Sequence, residues 1–407
     1  MTSSPFKAMR PSRRRVITAG GAIFASAYMP KIANAASTRD PRFVTMILRG
    51  ALDGLSAVAP LGDPDYAKLH GSIALPKSGD NAALPLDGFF ALNPSMKSFA
   101  NMYVEKQAVV IHAVATGYRD RSHFDGQDVL ESGYSGPGRT DSGWLNRALE
   151  MLPKGSKVRA GLAVGAATPL ILRGSARVTG WAPTQLAQAS DDMAMRLLDL
   201  YRSRDPALAN ALAQGLSVEA IVSRELGERR GPGGNIVDNM RQIARGAAKL
   251  MAADDGPRIS ALSFDGWDTH IAEGGATGRL AQLLGGLDSA FEEFQVTLGS
   301  AWKDTVIIAI TEFGRTVRIN GTTGTDHGTG TVAFLAGGAL NGGRVIADWP
   351  GLKDNQLYEK RDLKPTVDLR SVLKGILADH LGISVSALAE KVFPDTNILP
   401  PMKNLIS

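Results

Sequence analysis

Short apolar segments of seven or eight residues recur along this chain, with helical patterns between them. They lie at 42–48, 107–114, 258–264 and 304–311, and a shorter one follows at 332–336. Each is nearly continuous in apolar character and rich in Val, Ile, Leu and Ala. That is how a strand covered on both faces reads. Helical patterns fall at about 93–105, 189–203, 206–229, 235–253, 276–299 and 368–381. Asn93 is expected to cap the first of them, with Pro94 in its first turn. Strand–helix alternation of this kind predicts an α/β fold, a doubly wound and mostly parallel sheet with helices on both faces. The helical stretch 189–253 carries few chemically useful groups and reads as an insertion. Residues 59–90, rich in Pro, Gly and Asp, read as a long surface loop. Residues 159–188 give no clear element.

The first 35 residues belong to a different kind of segment. Ser12-Arg13-Arg14-Arg15-Val16-Ile17 is a twin-arginine pattern, a weakly apolar stretch follows, and Ala33-Asn34-Ala35 suits a small-x-small cleavage site. The expected organisation is a signal peptide over 1–35 and one α/β domain over 36–407. The expected destination is the periplasm or the exterior, reached through the twin-arginine translocase as partner. The formal net charge of +5 belongs to the same segment: outside residues 1–35 the balance is 39 basic to 40 acidic residues. The body of the protein therefore carries no nucleic-acid signature. No later apolar run is long enough to span a bilayer. The chain has no cysteine, which excludes disulfides, thiolate nucleophiles and Cys-ligated zinc or iron–sulfur clusters.

In open parallel sheets, ligands bind beyond the carboxyl ends of the strands, and here polar residues gather at those ends. Asp53 follows the first apolar segment. Arg119, Arg121, Ser122, His123 and Asp125 follow the second. Asp265, Asp268 and His270 follow the third, and Glu312 and Arg315 the fourth. Asp326 and His327 precede the last. Three of the six histidines of the chain lie in these loops. Carboxylates with imidazoles, and no thiolate, suit a divalent metal: zinc, manganese, calcium or magnesium. Each motif also has a plainer structural reading. Asp53 suits a turn, Asp268-Thr269-His270 a helix cap, Ser122 a cap for a helix starting at His123, and Glu312 a salt bridge with Arg315. His112 alternates within an apolar run and is expected to be a core histidine.

Five segments in this order carry a resemblance. They are 43–55, 118–125, 264–270, 311–316 and 324–328. Together they resemble the bacterial family of twin-arginine-exported proteins called domain of unknown function 1501. That family is in turn similar to the alkaline phosphatase and sulfatase superfamily. The resemblance implies a doubly wound sheet with metals at the strand ends, and a Ser, Thr or formylglycine attacking a phosphate or sulfate ester. It places Asp53 as the early metal-binding aspartate and Ser122 as the nucleophile. Asp265 and His270 become a metal-binding pair, and His327 the last metal-binding histidine. Glu312 stands where the superfamily has Asp followed by His, and Phe313 stands in place of that His. Asp268 and Asp326 are additional carboxylates available as ligands.

On this basis the chain reads as an exported metal-dependent hydrolase acting on an anionic ester or polymer. Ser122, His123 and Arg315 are the candidate catalytic residues, and Arg119 and Arg121 the candidate clamps for phosphate or sulfate oxygens. The metal ligands expected are Asp53, Asp265, Asp268, His270, Glu312, Asp326 and His327. The alternative is a non-catalytic exported or envelope-associated binding protein that keeps the fold.

Overall fold

A computed structural model describes residues 39–153, 160–165, 167–183 and 235–407, with 201, 208, 209, 212 and 213. The fold lies within the unit Pro41–Ser407. Its elements in order are β1 (Arg42–Arg49), α1 (Gly54–Ala57), β2 (Val58–Ala59), α2 (Tyr66–His70), β3 (Leu84–Pro85), β4 (Ala91–Leu92), α3 (Lys97–Val104), β5 (Ala108–Ala115), α4 (His123–Ser132) and α5 (Trp144–Glu150). They continue with β6 (Gly161–Val164), β7 (Val178–Trp181), α6 (Ile236–Ala252), β8 (Ile259–Asp265), α7 (Arg279–Leu298), β9 (Thr305–Ile310), β10 (Thr331–Ala336), β11 (Arg344–Ile346), β12 (Val367–Asp368) and α8 (Leu369–Leu381).

The main sheet runs β11-β5-β10-β9-β1-β8-β6-β7, with β12 pairing β5 as well. All its described pairings are parallel except those of β10, which is antiparallel to both β5 and β9. The expected mostly parallel α/β sheet is therefore what the chain forms. Alternate residues of β1 feed two different cores. Val44, Met46 and Leu48 join one, with α3, α6 and α7. Phe43 and Ile47 join the other, with α5 and α8. Two buried faces leave no room for polar alternation, which explains the continuous apolar run in the sequence.

The helices follow the same logic. In α7, Leu280, Leu283, Leu284, Leu287, Phe291, Phe294 and Leu298 are buried, the three-and-four spacing of one helical stripe. The Asp368 carboxylate caps α8 by accepting from the Arg370 amide, and Gly382 ends it in the left-handed region at φ 72°.

Three details differ from expectation. The helix predicted from Asn93 begins at Lys97: Asn93 Oδ1 still accepts from the Ser95 amide at 3.1 Å, while its side-chain amide donates to the carbonyls of Ser56 and Gly275, at 3.0 Å each. Residues 59–90 are not one loop, since they hold α2 and β3, a strand of the small antiparallel sheet β2-β4-β3. The stretch 159–188 contains β6 and β7. Of the expected insertion, the part at 235–253 forms α6, while the patterns at 189–203 and 206–229 lie outside the described residues apart from isolated positions. The signal peptide at 1–35 also lies outside them.

Candidate functional site

Strand direction brings the polar loops together. β1, β5, β8 and β9 run the same way, so the loops that follow them share one edge of the sheet. β10 runs back, so the segment joining β9 to β10 never leaves that edge. It folds on itself, with the Thr316 amide donating to Asp326 and the Gly328 amide to Gly314. Glu312, just after β9, and His327, just before β10, are thereby delivered to the same place.

Three imidazoles and one carboxylate converge there. The Nε2 atoms of His123 and His327 are 2.9 Å apart, and those of His270 and His327 3.0 Å apart. Asp268 lies among them. Its Oδ1 is 3.0 Å from His270 Nε2 and 3.2 Å from His327 Nε2, and its Oδ2 is 3.4 Å from His123 Nε2. Ligand atoms of His123, Asp268 and His327 all lie within 4.8 Å of one another. Two ligand atoms on one tetrahedral metal at about 2.1 Å are separated by about 3.4 Å, so these contacts have the scale of a coordination shell. The side chains are 26–42% exposed, so the cluster opens to solvent.

The opposite nitrogen of each ring is held from outside. His123 Nδ1 donates to Glu312 at 2.9 Å, His270 Nδ1 to Asp326 at 3.3 Å, and His327 Nδ1 to the Arg121 carbonyl at 3.0 Å. A carbonyl or an ionised carboxylate only accepts, so each Nδ1 carries its proton and, in a neutral ring, leaves the Nε2 lone pair facing inward. Three such lone pairs and a carboxylate facing one point repel one another unless a positive charge sits between them. The rings are also pushed in opposite directions. The Glu312 hydrogen bond raises the pKa of His123, whereas burial and then the neighbouring His123 lower that of His327. Burial works against the charge of Asp268, but the Arg315 guanidinium outweighs it and holds the carboxyl below its ordinary range. That guanidinium is fully buried and donates to Asp268 Oδ1 at 2.6 Å, and to Thr325 through Nε and Nη2.

The structure sorts the expected ligands into two groups. Asp268, His270 and His327 meet at the centre, and His123, expected as a base, joins them there. Glu312 and Asp326 instead stand behind His123 and His270. For Asp326 the reason is local: neighbouring side chains on extended backbone point to opposite sides, so only His327 of that pair faces inward. Asp265 is exposed at the end of β8 and makes none of the cluster's contacts. Asp53 is buried elsewhere. Its Oδ1 caps α1 by accepting from the Leu55 amide, and its Oδ2 lies 3.1 Å from His70 Nε2. Ser122 occupies the cap position of α4 without a side-chain cap bond. The arginines expected to clamp an anion hold the protein itself. Arg119 donates to the carbonyls of Thr116 and Tyr118, Arg121 to Glu359 and Asp362, and Arg315 to Asp268 and Thr325.

Sequence reasoning missed the buried network beside the site. His70 Nδ1 faces the Val317 carbonyl at 3.0 Å, while its Nε2 faces both Asp53 and Ser56. A carbonyl on one side and a carboxylate on the other favour the protonated form of His70, and the Asp53 charge raises its pKa against burial. Ser, His and Asp here form no nucleophile triad, because Ser56 and Asp53 share one nitrogen and all three residues are buried. Glu273 is fully buried; its Oε2 accepts from Thr325 at 2.7 Å, and its Oε1 has no hydrogen-bond partner among the described residues. No spacing rule ties His70 or Glu273 to Asp53.

The sequence matches the family described as "Protein of unknown function (DUF1501)" over residues 40–392. No curated protein matches it. Among solved structures it is similar to Ps i-CgsB in complex with k-i-k-neocarrahexaose, at 11% identity and a TM-score of 0.43, over 85% of this chain and 73% of that one. It is also similar to the alkaline phosphatase of the Antarctic bacterium TAB5, at 13% identity and a TM-score of 0.33, over 76% and 95% of the two chains. The PsFucS1 sulfatase from Pseudoalteromonas sp. is similar at 12% identity and a TM-score of 0.35, over 82% and 68%. Among the described residues no helix is long and apolar enough to cross a membrane.

Proposed function

The chain belongs to the DUF1501 family, and from that premise we propose that it is a metal-dependent hydrolase of phosphate or sulfate esters, exported by the twin-arginine route. One observation carries the reading: three inward-facing imidazole nitrogens converge with Asp268, and each ring is locked from behind by an acceptor. Metal-binding histidines are held in this way, with the second nitrogen on a carboxylate or carbonyl. His123, His327 and Asp268 would hold the cation, with His270 beside them. A set dominated by imidazole favours zinc over manganese, calcium or magnesium, which prefer oxygen ligands.

When bound, such a cation supplies Lewis acidity toward an ester oxygen and neutralises charge that develops on it. The chain's own residues do the rest. Arg315 keeps Asp268 ionised and oriented. Glu312, Asp326 and the Arg121 carbonyl keep the three rings turned inward. The solvent-facing side of the cluster admits a substrate, unlike a closed structural zinc site. Ser122, next to His123, is the candidate nucleophile, and full activity in Ser122→Ala would remove it.

A second reading is favoured by the arginines. Arg119, Arg121 and Arg315 direct their guanidinium groups to acceptors of the protein itself, which suits a binding protein more than an anion-clamping hydrolase. The deciding experiment is metal stoichiometry by mass spectrometry on protein matured through its own export route, beside His327→Ala. The expected result is tightly held metal that the variant loses, with turnover of p-nitrophenyl phosphate or sulfate. Metal without turnover selects the binding protein, and no metal in either sample sinks the metal-dependent hydrolase and leaves the binding protein as the better reading.

A further inference from the structure

We propose that Arg121 is a positioning residue: its guanidinium, anchored on the 358–362 turn, holds its own backbone so that its carbonyl fixes the His327 ring. The inference rests on the reading of His327 as a metal ligand. Arg121 sits at φ 62°, in the left-handed region that a side chain with a Cβ seldom enters. Such a conformation persists only where the surroundings impose it. Here the surroundings are visible. Arg121 Nε donates to Asp362 Oδ2 at 2.9 Å, and its Nη2 reaches Asp362 at 2.8 Å and Glu359 at 2.5 Å. Asp362 is fully buried, so this end of the tether is rigid.

The turn that supplies those carboxylates is itself unusual. Glu359 and Lys360 are both left-handed, at φ 53° and 57°. Arg361, from the same turn, donates to the His327 carbonyl at 2.5 Å. The turn therefore grips the site twice: at the backbone of His327, and through Arg121 at its ring. Arg121 also lies two residues before His123, so its backbone sets where α4 begins and where the second imidazole stands. Relaxation of residue 121 to an ordinary φ would rotate its peptide plane and carry the carbonyl away from His327 Nδ1. The ring would then lose the acceptor that keeps its Nε2 lone pair inward.

The test uses the full chain with 15N-labelled histidine. His327 signals are assigned with His327→Gln, and cobalt(II) serves as the metal probe. In chelator-treated wild type, His327 is expected to be the Nδ1–H tautomer. In Arg121→Ala it becomes a tautomer mixture, and cobalt affinity falls about 10- to 100-fold. Arg121→Lys recovers little, because an ammonium cannot fork between two carboxylates. Arg121→Gly recovers part of the affinity relative to Arg121→Ala, because glycine enters the left-handed region without a Cβ penalty but lacks the tether that holds it there. A merely structural role would place Gly below Ala. An Arg121→Ala protein with wild-type tautomer and affinity overturns the proposal. Should wild type bind no cobalt while the tautomer still changes in Arg121→Ala, the metal reading fails and the positioning role stands. With neither cobalt binding nor a tautomer change, both fall.

Discussion

Single residues carry the electrostatics of the site, and the buried network around Asp53 shows how. Burial opposes the charge of Asp53, but His70 beside it prevails and lowers its pKa. Against burial, Asp53 in turn raises His70. Burial first and then the charge of Asp53 push Glu273 well above the usual carboxylate range. The signs follow. The Asp53 share of stability is present above about pH 3.9 and is lost only as pH falls through its lowered value. The His70 share is complete below about pH 6.5 and is lost as pH rises through its raised value. Glu273 keeps a proton in the folded chain that the unfolded chain releases near pH 4.3, so it too costs stability as pH rises. As pH rises above about 4.3, urea midpoints should therefore fall less in Glu273→Gln than in wild type; equal slopes would refute the assignment. His112 was legible as a core histidine from its place in an apolar run. It is buried, donates to the Val58 carbonyl, and is pushed down to about 4 by burial. His123, His270, His327 and Asp268 were legible as strand-end groups. Asp53 was misplaced because an Asp in a Gly-rich loop reads the same whether it binds a metal, caps α1 or pairs with an unseen histidine. Arg315 was legible as a charge at the site, but not as one aimed at Asp268.

At the scale of elements, the strands and long helices could be read closely, because a strand buried on both faces and a helix with one apolar stripe leave distinct patterns. The loops could not, since their conformation depends on partners far along the chain. Gly50 illustrates it. Its φ is +121°, and a Cβ there would stand 2.5 Å from the Asp268 amide nitrogen and 2.9 Å from the Trp267 carbonyl carbon. The loop after β1 and the loop after β8 touch backbone to backbone at this point, and the contact seats Asp268. Gly50→Ala should cost more than about 1 kcal/mol and should lower metal affinity at the same time. Gly88→Ala, where a Cβ meets nothing within 4 Å, should do neither. Denaturant midpoints and zinc titrations of the two variants check the contrast.

For the molecule as a whole, the centre ties together segments separated by more than a hundred residues, so a bound cation should stabilise the entire fold by mass action. With free zinc at 100 times its dissociation constant, the gain is about 2.7 kcal/mol, visible as a higher thermal midpoint that a chelator reverses. Because bound rings must be unprotonated and Glu312 raises His123, the gain should weaken with acidification, starting above the ordinary imidazole range of about 6.5. An unchanged midpoint with and without zinc would count against the metal centre. The charge balance of residues 36–407 was legible in the sequence, whereas the convergence of the loops after β5 and β8 and the β9–β10 segment on one point was legible only as a shared strand-end position.

The pairing of β1 has a consequence for biosynthesis. Its partners are β8 and β9, with Arg42 beside Thr305 and Phe43 beside Ile259. The first strand of the sheet to leave the ribosome thus waits for more than two hundred further residues before either neighbour exists. At about 5–20 residues per second that wait is on the order of tens of seconds, during which a largely apolar segment has no ladder to join. A chain stopped at residue 300 has β8 but lacks β9 and β10, and it should be protease-sensitive and aggregate where the full chain does not. Completion of the centre of this sheet is a late event in the life of each molecule, and an attendant that shields β1 until then would decide how much protein survives.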